Sequence, residues 1–420
     1  MMHLRFCHVI PGLILWCIFN WLVLPSGADA EQGVYESTRR DSVQLTLVVR
    51  APESTPGDAV IFVAGNFHSE KAWRADAEPL RLVKDGTYRG TIELSRGMVF
   101  KYKITRGSWE TVEKDADGHE IPNREIVINH DKTVTIAVQS WADQIRDMNI
   151  NNEKIKSTMT GHITIHRSFH SQYLKRDRDI LVYLPPGYDD DANRRYPVLY
   201  MHDGQNVFDE ATSFAGVEWG ADETAERLIT EKRIEPIIIV AINNSDLRMD
   251  EYTPTKDAKL GGGDGAAYGR FLVEEVKPFV DGHYRTLGDR LHTGVAGSSL
   301  GGLISLYLIW NYPDIFSRAA VISPSLWWNN AHLIRMIEEA KESRLKKDVR
   351  IWIDIGTKEG GESYPQDATV HVKRLGAALS SKGLKEGTNY RIIIIEGGEH
   401  NESAWAKRFD RVLLYLYGSK

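Results

Sequence analysis

The feature that most constrains the fold is an alternation of short apolar runs with helical stretches across the C-terminal part of the chain. The runs are nearly continuously apolar, which predicts strands that are buried on both faces. Such strands, separated by helices, indicate an α/β fold with a mostly parallel sheet and helices on both faces. The predicted strands are residues 179–184, 197–201, 236–242, 293–296, 318–322, 350–355 and 391–395, and the predicted helices are 222–230, 268–280, 302–310, 331–340 and 369–381.

Residues 41–143 show a different pattern, in which short strand-like runs are separated by turn residues without a helical period. In the turn Lys84-Asp85-Gly86-Thr87, the Asp-Gly pair is typical of a β-hairpin. The pattern predicts an all-β, immunoglobulin-like sandwich of about 100 residues. The polar stretch 144–158 is the expected linker, and 159–420 is the expected second domain.

The first 30 residues have the pattern of an export signal. An apolar run at 9–24 ends shortly before Ala28-Asp29-Ala30, which is a typical cleavage site. An uncleaved membrane anchor is the alternative, but the run is short for a span of about 20 apolar residues. We therefore expect a signal peptide at 1–30 and a secreted or periplasmic protein that has no membrane contact after cleavage.

Cysteine usage and charge exclude several classes of protein. Both cysteines, Cys7 and Cys17, lie within 1–30, so the mature chain needs no disulfide and has no cysteine nucleophile. The formal net charge of −6 is modest, and no basic stripe marks a surface for nucleic acid. We expect neither nucleic acid nor an anionic membrane as a partner.

The strongest chemical signal is the Gly-x-Ser-x-Gly sequence at 297–301, whose central residue is Ser299. It lies between a predicted buried strand and a predicted helix. A sharp strand-to-helix turn needs glycines beside the nucleophile, because neighbouring Cβ atoms would clash in the strained backbone. This context predicts a nucleophilic hydroxyl on Ser299, at the positive end of a helix. The neighbouring Ser298 is not the central residue of the motif.

A serine nucleophile needs a base and a carboxylate that orients the base. In this kind of fold they follow the serine in the order acid, then histidine. His400 lies in the turn after the last predicted strand and is the predicted base. Glu359, in the loop after the preceding strand, is the predicted acid, with Glu362 and Asp354 as alternatives.

A tetrahedral intermediate needs two backbone N–H donors for its oxyanion. We assign one to Leu300, next to the nucleophile, and the other to Gly204 or Gln205 in the loop after an early strand. Candidate substrate contacts at the same edge of the sheet are Asp203, Trp219 and Trp328, although the core is the commoner place for a tryptophan.

The spacing of His162, His166 and His170 resembles that of metal ligands. The residues between them favour a strand, in which side chains four positions apart lie roughly 13 Å from each other. These histidines therefore cannot converge on one ion, and we expect no metal site and no cofactor.

Together these segments resemble the esterase D family, which includes enterochelin esterases, feruloyl and acetylxylan esterases and S-formylglutathione hydrolase. The resemblance covers about residues 161–418 and rests on the segments 182–188, 201–209 and 297–301 and on His400-Asn401-Glu402 with Trp405. It implies an α/β-hydrolase fold and hydrolysis of a carboxylic ester without a metal. In the family the acid follows a Gly-Thr pair and is often aspartate, whereas this chain has Glu359 there.

The N-terminal segment resembles the sandwich modules that bind starch and glycogen, through Gly65-Asn66-Phe67 and residues 100–110. Such modules stack sugars on exposed aromatic rings, which makes Trp73 and Trp109 candidates here, with a core position as the alternative. We therefore expect a serine esterase that removes feruloyl or acetyl groups from polysaccharide. A siderophore esterase of the enterochelin type is the enzymatic alternative, and a catalytically silent glycan-binding protein is the alternative from another class.

Overall fold

The structure is a computed structural model that describes residues 42–67, 73–116, 118, 121, 123–144, 157–214, 216–258, 260–359 and 368–419. The predicted export segment, with both cysteines, lies outside the described residues, as do residues 145–156 of the predicted linker and Glu362. Within the described residues, no helix has both the length and the apolar character needed to cross a membrane.

Residues 42–141, here termed the β region, form short strands around one hydrophobic core. Strands β1 to β9 are Ser42–Arg50, Ile61–Gly65, Glu78–Leu82, Tyr88–Ser95, Met98–Thr105, Glu113–Lys114, Arg124–Ile128, Lys132–Ala137 and Ser140–Trp141. Seven of them form a sheet in the order β7-β5-β2-β3-β4-β1-β8, and β6 pairs with β9. Leu45 on β1 shares its core with Val63 on β2 and Phe100 on β5, so the sheet curls around its own apolar side chains. A β-rich region therefore occupies the expected place, while its immunoglobulin-like topology stays a prediction.

The hairpin expected at residues 84–87 connects β3 to β4. Gly86 adopts a φ of +79°, which glycine tolerates because it has no Cβ atom. The N–H of Val83 donates to the carbonyl of Thr87 at 2.8 Å, and the N–H of Thr87 donates to Oδ1 of Asp85 at 3.0 Å. The hairpin prediction is confirmed.

Residues 157–419, here termed the α/β region, contain an eight-stranded sheet. Its strands β10 to β17 are His162–Phe169, Arg178–Leu184, Val198–His202, Ile238–Ile242, Thr293–Ser298, Arg318–Ile322, Arg350–Gly356 and Tyr390–Ile395. The strand order is β10-β11-β13-β12-β14-β15-β16-β17. The six strands β12 to β17 run parallel to one another in the sheet. At one edge, β11 pairs antiparallel with both β13 and β10. The expectation of a mostly parallel sheet is confirmed.

Both faces of this sheet are buried, because neighbouring side chains on a strand belong to different hydrophobic cores. On β12, Val198 and Tyr200 belong to one cluster, and Leu199 and Met201 belong to the other. Helices α1 to α8 are Ala221–Thr230, Arg248–Glu251, Gly265–Arg270, Lys277–His283, Leu300–Asn311, Trp328–Glu339, Ala368–Ser381 and Glu402–Tyr417.

Three helical segments differ from the predictions, and one of them is the short helix α2, Arg248–Glu251, which was not predicted. The helix expected at 268–280 consists of α3, a π-helical segment Phe271–Val276 and α4. Helix α8 was not predicted, although Asn401 is a favourable N-cap and its side chain accepts the N–H of Ala404 at 2.9 Å. The buried face of α8 has the apolar spacing of an amphipathic helix, which is the signal that would have identified it.

Candidate active site

Ser299 lies in a strained turn between β14 and α5. Its φ of 58° and ψ of −120° are unusual for a residue with a side chain, and strain of this kind is concentrated at functional sites. A Cβ atom on Gly297 would lie 2.8 Å from the backbone of Gly301, so the turn requires glycine. Ser298 remains inside β14 and is 4 % exposed. The turn therefore presents Ser299 rather than Ser298 at the start of α5.

The hydroxyl of Ser299 has one close polar neighbour in the described part of the chain, the hydroxyl of Ser325 at 3.3 Å. Among the described residues, no hydrogen bond joins Ser299 to His400. Catalytic hydrogen bonds are often long before substrate binds and shorten in the complex, so this arrangement is compatible with a resting enzyme.

His400 and Glu359 lie on the loops that follow β17 and β16. The Nδ1–H of His400 donates to Oε2 of Glu359 at 3.0 Å. The side chain of Glu359 is 1 % exposed, whereas that of His400 is 39 % exposed. Because the carboxyl ends of neighbouring parallel strands lie at one edge of a sheet, loops far apart in sequence meet here. The structure thus brings together Glu359 and His400, and leaves the Nε2 side of the imidazole for a proton from substrate or serine.

A buried polar network fixes the carboxylate of Glu359. Its Oε1 accepts hydrogen bonds from the Ser323 hydroxyl at 2.6 Å and from the Gly356 N–H at 2.7 Å. Arg408 on α8 donates to Ser323 at 2.6 Å and to Asp354 at 2.9 Å, and lies 3.5 Å from Glu359. This network was missed at the sequence level because α8 itself was missed.

Asp354, one alternative for the acid, does not reach His400. It lies on β16, where it accepts hydrogen bonds from the indole of Trp352 at 2.6 Å and from Arg408. Burial raises the pKa of Asp354 above its ordinary value, and the positive charge of Arg408 opposes this effect. Asp354 therefore binds Arg408, which lies beside Glu359, and does not contact His400.

The predicted oxyanion donors lie on two adjoining elements. Leu300 is the first residue of α5, and Gly204 and Gln205 begin a 3₁₀ turn, Gly204–Asn206, after β12. A Cβ atom on Gly301 would lie 3.2 Å from Oδ2 of Asp203, so the loop after β12 abuts the first turn of α5. Among the described residues, no acceptor binds the N–H groups of Leu300, Gly204 or Gln205, which leaves them available to an anion.

Asp203, a predicted substrate contact, forms an ion pair in the structure, and its contact with substrate stays a prediction. Arg248 donates to its two carboxylate oxygens at 2.6 and 2.8 Å, and Asn244 donates as well. Burial alone would raise the pKa of Asp203, but the Arg248 guanidinium holds this pKa below its ordinary value. With φ at 58°, Asp203 instead shapes the loop that carries Gly204 and Gln205.

The two tryptophans that were predicted to contact substrate are both buried in the structure. Trp219 is 5 % exposed and packs against Trp405 and Phe409, at ring distances of 5.9 and 5.5 Å. Trp328 is 1 % exposed, and its indole donates to the carbonyl of Thr255 at 2.7 Å. Both rings lie in hydrophobic cores because a large apolar surface gains most from complete burial. Trp405 is the tryptophan next to the site, with its ring edge-on to His400 at 5.0 Å.

The three spaced histidines have separate environments. His166 lies 2.6 Å from the hydroxyl of Tyr284, and Nδ1 of His170 lies 2.9 Å from Asp177. His162 is exposed at the start of β10. The geometry gives them no common centre.

Comparison with known proteins adds independent findings. The model of the family described as "Putative esterase" matches residues 171–416, which include Ser299, Glu359 and His400. A segment of 257 residues is 26 % identical to an endo-1,4-beta-xylanase/feruloyl esterase of Xylanibacter ruminicola, covering 60 % of this chain and 31 % of that protein. A segment of 212 residues is 26 % identical to the ferri-bacillibactin esterase BesA of Bacillus subtilis, covering 45 % of this chain and 70 % of that protein. A segment of 104 residues is 43 % identical to an alpha-amylase of Niallia circulans, covering 24 % of this chain and 8 % of that protein.

Proposed function

The chain belongs to this esterase family, and we propose that it is a serine carboxylic-ester hydrolase with Ser299 as nucleophile, His400 as base and Glu359 as acid. The observation that carries the proposal is the 3.0 Å hydrogen bond from His400 to Glu359. It lies at the edge of the sheet where β14 ends in the strained turn at Ser299. These are the parts that an acyl-transfer mechanism requires.

In the proposed reaction, His400 removes the proton from Ser299 as Oγ attacks the ester carbonyl. The oxyanion of the tetrahedral intermediate accepts hydrogen bonds from Leu300 N–H and from Gly204 or Gln205 N–H. His400 then protonates the departing alcohol, and water hydrolyses the acyl-enzyme by the same steps in reverse. Glu359 stabilises the imidazolium that forms and keeps the Nε2 side of the ring directed at the reaction.

We propose that the ester is a feruloyl or acetyl group on a polysaccharide. A cluster of three aromatic rings connects the β region to the α/β region. The ring of Trp109 lies 6.5 Å from the Trp73 ring and 6.3 Å from the Phe214 ring. Phe214 is 42 % exposed, and its N–H donates at 2.8 Å to the side chain of Asn206, the last residue of the turn Gly204–Asn206, here termed the oxyanion loop. Sugars stack on exposed aromatic rings, so a glycan bound to this cluster would lie beside the oxyanion loop.

The similarity to an alpha-amylase supports a role for the β region in binding glycan. The matched segment of 104 residues is close in length to the β region, which spans residues 42–141. With the relative named as a feruloyl esterase, it favours an esterified polysaccharide as substrate. Export of the protein belongs to the same proposal, because such polymers lie outside the cell.

A siderophore ester is the second candidate, since BesA is named for the hydrolysis of ferri-bacillibactin. A ferric siderophore complex is anionic, so its binding favours free positive charge near the nucleophile. Arg248, beside the oxyanion loop, is already paired with Asp203 and does not supply that charge. A protein that binds glycan without hydrolysis is the third candidate, and it predicts no turnover of any ester.

A substrate panel assayed with matched variants tests these candidates. Wild type, Ser299→Ala and Ser298→Ala are compared on methyl ferulate, feruloylated and acetylated xylan fragments and a catecholate trilactone. We expect Ser299→Ala to lose about 10⁴-fold or more in kcat, and Ser298→Ala to keep most activity. Equal rates of wild type and Ser299→Ala would remove Ser299 from the mechanism. Faster hydrolysis of the trilactone than of ferulate would reverse the choice of substrate.

A further inference from the structure

Three carboxylates that the proposed mechanism does not use lie together at the start of α1. They belong to Glu218, Asp222 and Glu223, and one ligand oxygen from each lies within 4.8 Å of the others. Glu218 is 9 % exposed and Asp222 is fully buried. Burial of carboxylates is unfavourable unless each charge is paired, hydrogen-bonded or bound to a metal.

Hydrogen bonds satisfy only part of this group. Thr160 donates its N–H to Asp222 at 2.6 Å and its hydroxyl to Glu223 at 2.8 Å, and the hydroxyl of Thr158 donates to Glu218. The second oxygen of each carboxylate is buried and has no hydrogen-bond partner in the described part of the chain. Each of the three side chains therefore directs one unsatisfied acceptor into the protein.

The surroundings of the group are negative. The strongest charges acting on Glu218 come from Glu223, Asp209 and Glu210, and burial together with these charges raises the pKa of Glu218 to about 7. Burial likewise raises the pKa of Asp222, and Glu223 adds to this effect. Within the described ranges, no arginine or lysine forms an ion pair with the three carboxylates.

Although the sequence led us to expect no metal site, we propose that Glu218, Asp222 and Glu223 bind one calcium ion. The site offers only carboxylate and hydroxyl oxygens, which are hard ligands that suit calcium rather than zinc or copper. Calcium accepts six to eight oxygens in flexible geometry, with water completing the shell, so three carboxylates at the start of α1 suffice as an anchor. Two positive charges would neutralise most of the negative charge buried there.

The position of the site gives the ion a structural role. The residue after Glu218 is Trp219, whose N–H donates to the Asn206 carbonyl at 2.8 Å. The Trp219 ring packs against Trp405, which in turn contacts the His400 ring. An ion at Glu218 would therefore hold the segment between the oxyanion loop and α1. Through the two indoles it would also hold the histidine loop, residues 396–401 between β17 and α8. It would touch neither the substrate nor the reacting atoms, so the proposal does not depend on the ester chosen above.

The test uses the full mature protein freed of metal with a chelator, then titrated with calcium or magnesium. Binding is measured by calorimetry, and the unfolding temperature by scanning at each concentration. We expect saturable binding of one calcium per chain and a rise of about 5 °C in Tm at about 10 mM calcium. Magnesium should produce a smaller rise, because it dehydrates reluctantly and demands octahedral geometry.

Variants identify the ligands. Asp222→Asn and Glu223→Gln should lose the calcium-dependent rise in Tm, while Glu231→Gln, exposed at the end of the same helix, should keep it. Glu223 is only partly buried, so its variant remains informative if Asp222→Asn fails to fold. A wild-type Tm that is insensitive to both calcium and chelator would overturn the proposal and indicate that the carboxylates share protons instead. An unchanged calcium response in Glu223→Gln would also overturn it, and an equal rise with magnesium would overturn the choice of calcium.

Discussion

The Nδ1 atom of His400 lies 3.0 Å from Oε2 of Glu359, although the two residues are 41 positions apart in the chain. Glutamate is one methylene longer than aspartate, the acid that the family resemblance led us to expect. The longer side chain of Glu359 is held in place by two hydrogen bonds to its Oε1, from the Ser323 hydroxyl and the Gly356 N–H. An anchored carboxylate orients the imidazole without a loss of side-chain entropy at each turnover.

Glu359→Gln should reduce kcat by about 10²- to 10⁴-fold. The neutral amide no longer stabilises the imidazolium, and it can present an N–H to Nδ1 and so favour the wrong tautomer. Steady-state kinetics on a small ester measure the effect. Glu396→Gln, at an exposed position at the start of the histidine loop, is the matched control and should retain full activity. Similar kcat values for the two variants would exclude Glu359 as the acid.

Arg408→Met should lower the free energy of unfolding by about 3–5 kcal/mol, because it leaves two buried carboxylates without their cation. The side chains concerned are nearly inaccessible: Arg408 is 5 % exposed, Asp354 0 % and Glu359 1 %. Chemical denaturation at neutral pH measures the difference. Arg411→Met, on the exposed side of the same helix, should change stability by less than about 0.5 kcal/mol. Equal stabilities of the two variants would contradict the prediction.

The stability of the protein should decrease as the pH falls below about 6.5, because His202 stays neutral when folded. Burial lowers the pKa of His202 to about 3, and the nearby charge of Asp203 only partly opposes this. The unfolded chain takes up a proton near 6.5, so it binds more protons than the folded chain between pH 6.5 and 3. The contribution of neutral His202 to the free energy of unfolding is complete above pH 6.5. Below that pH it is lost at roughly 1.4 kcal/mol per pH unit.

Denaturation curves recorded between about pH 7 and pH 4 check this prediction. His202→Asn should have a shallower decline than wild type, by the equivalent of one proton. The exposed His130 provides the control, and His130→Asn should keep the wild-type slope. Identical slopes for wild type and His202→Asn would show that another group causes the acid sensitivity.

Gly204→Ala should reduce kcat by about 10²- to 10³-fold and change KM less, because it displaces an oxyanion donor. An added Cβ atom would lie 2.7 Å from the backbone of Ile242, so the loop after β12 must move. Gly282→Ala, in an exposed position with no atom within 4 Å of the added carbon, should leave both constants unchanged. A normal kcat in Gly204→Ala would remove this loop from the oxyanion site.

Periodicity predicted those parts of the fold that depend on local pattern. Strand 318–322 was predicted at its observed bounds, and helix 369–381 within one residue. The burial of Trp219 and Trp328 and the ion pair of Asp203 were not predictable, because a position near the active edge in sequence does not say which neighbours a side chain meets. The apolar spacing of α8 could have predicted the helix, but not the contacts of its Arg408 with Ser323 and Asp354, which are distant in the chain.

The sequence by itself determined the alternation of strands and helices and the glycine-flanked turn at Ser299, because both depend on neighbouring residues. Only the tertiary structure decided that Glu359 rather than Asp354 reaches His400 and that Arg248 forms an ion pair with Asp203. It also decided that three carboxylates lie together at the start of α1. These outcomes depend on which distant loops meet at one end of the sheet. Charge pairing and burial act through space, and the spacing of residues along a chain does not specify those distances.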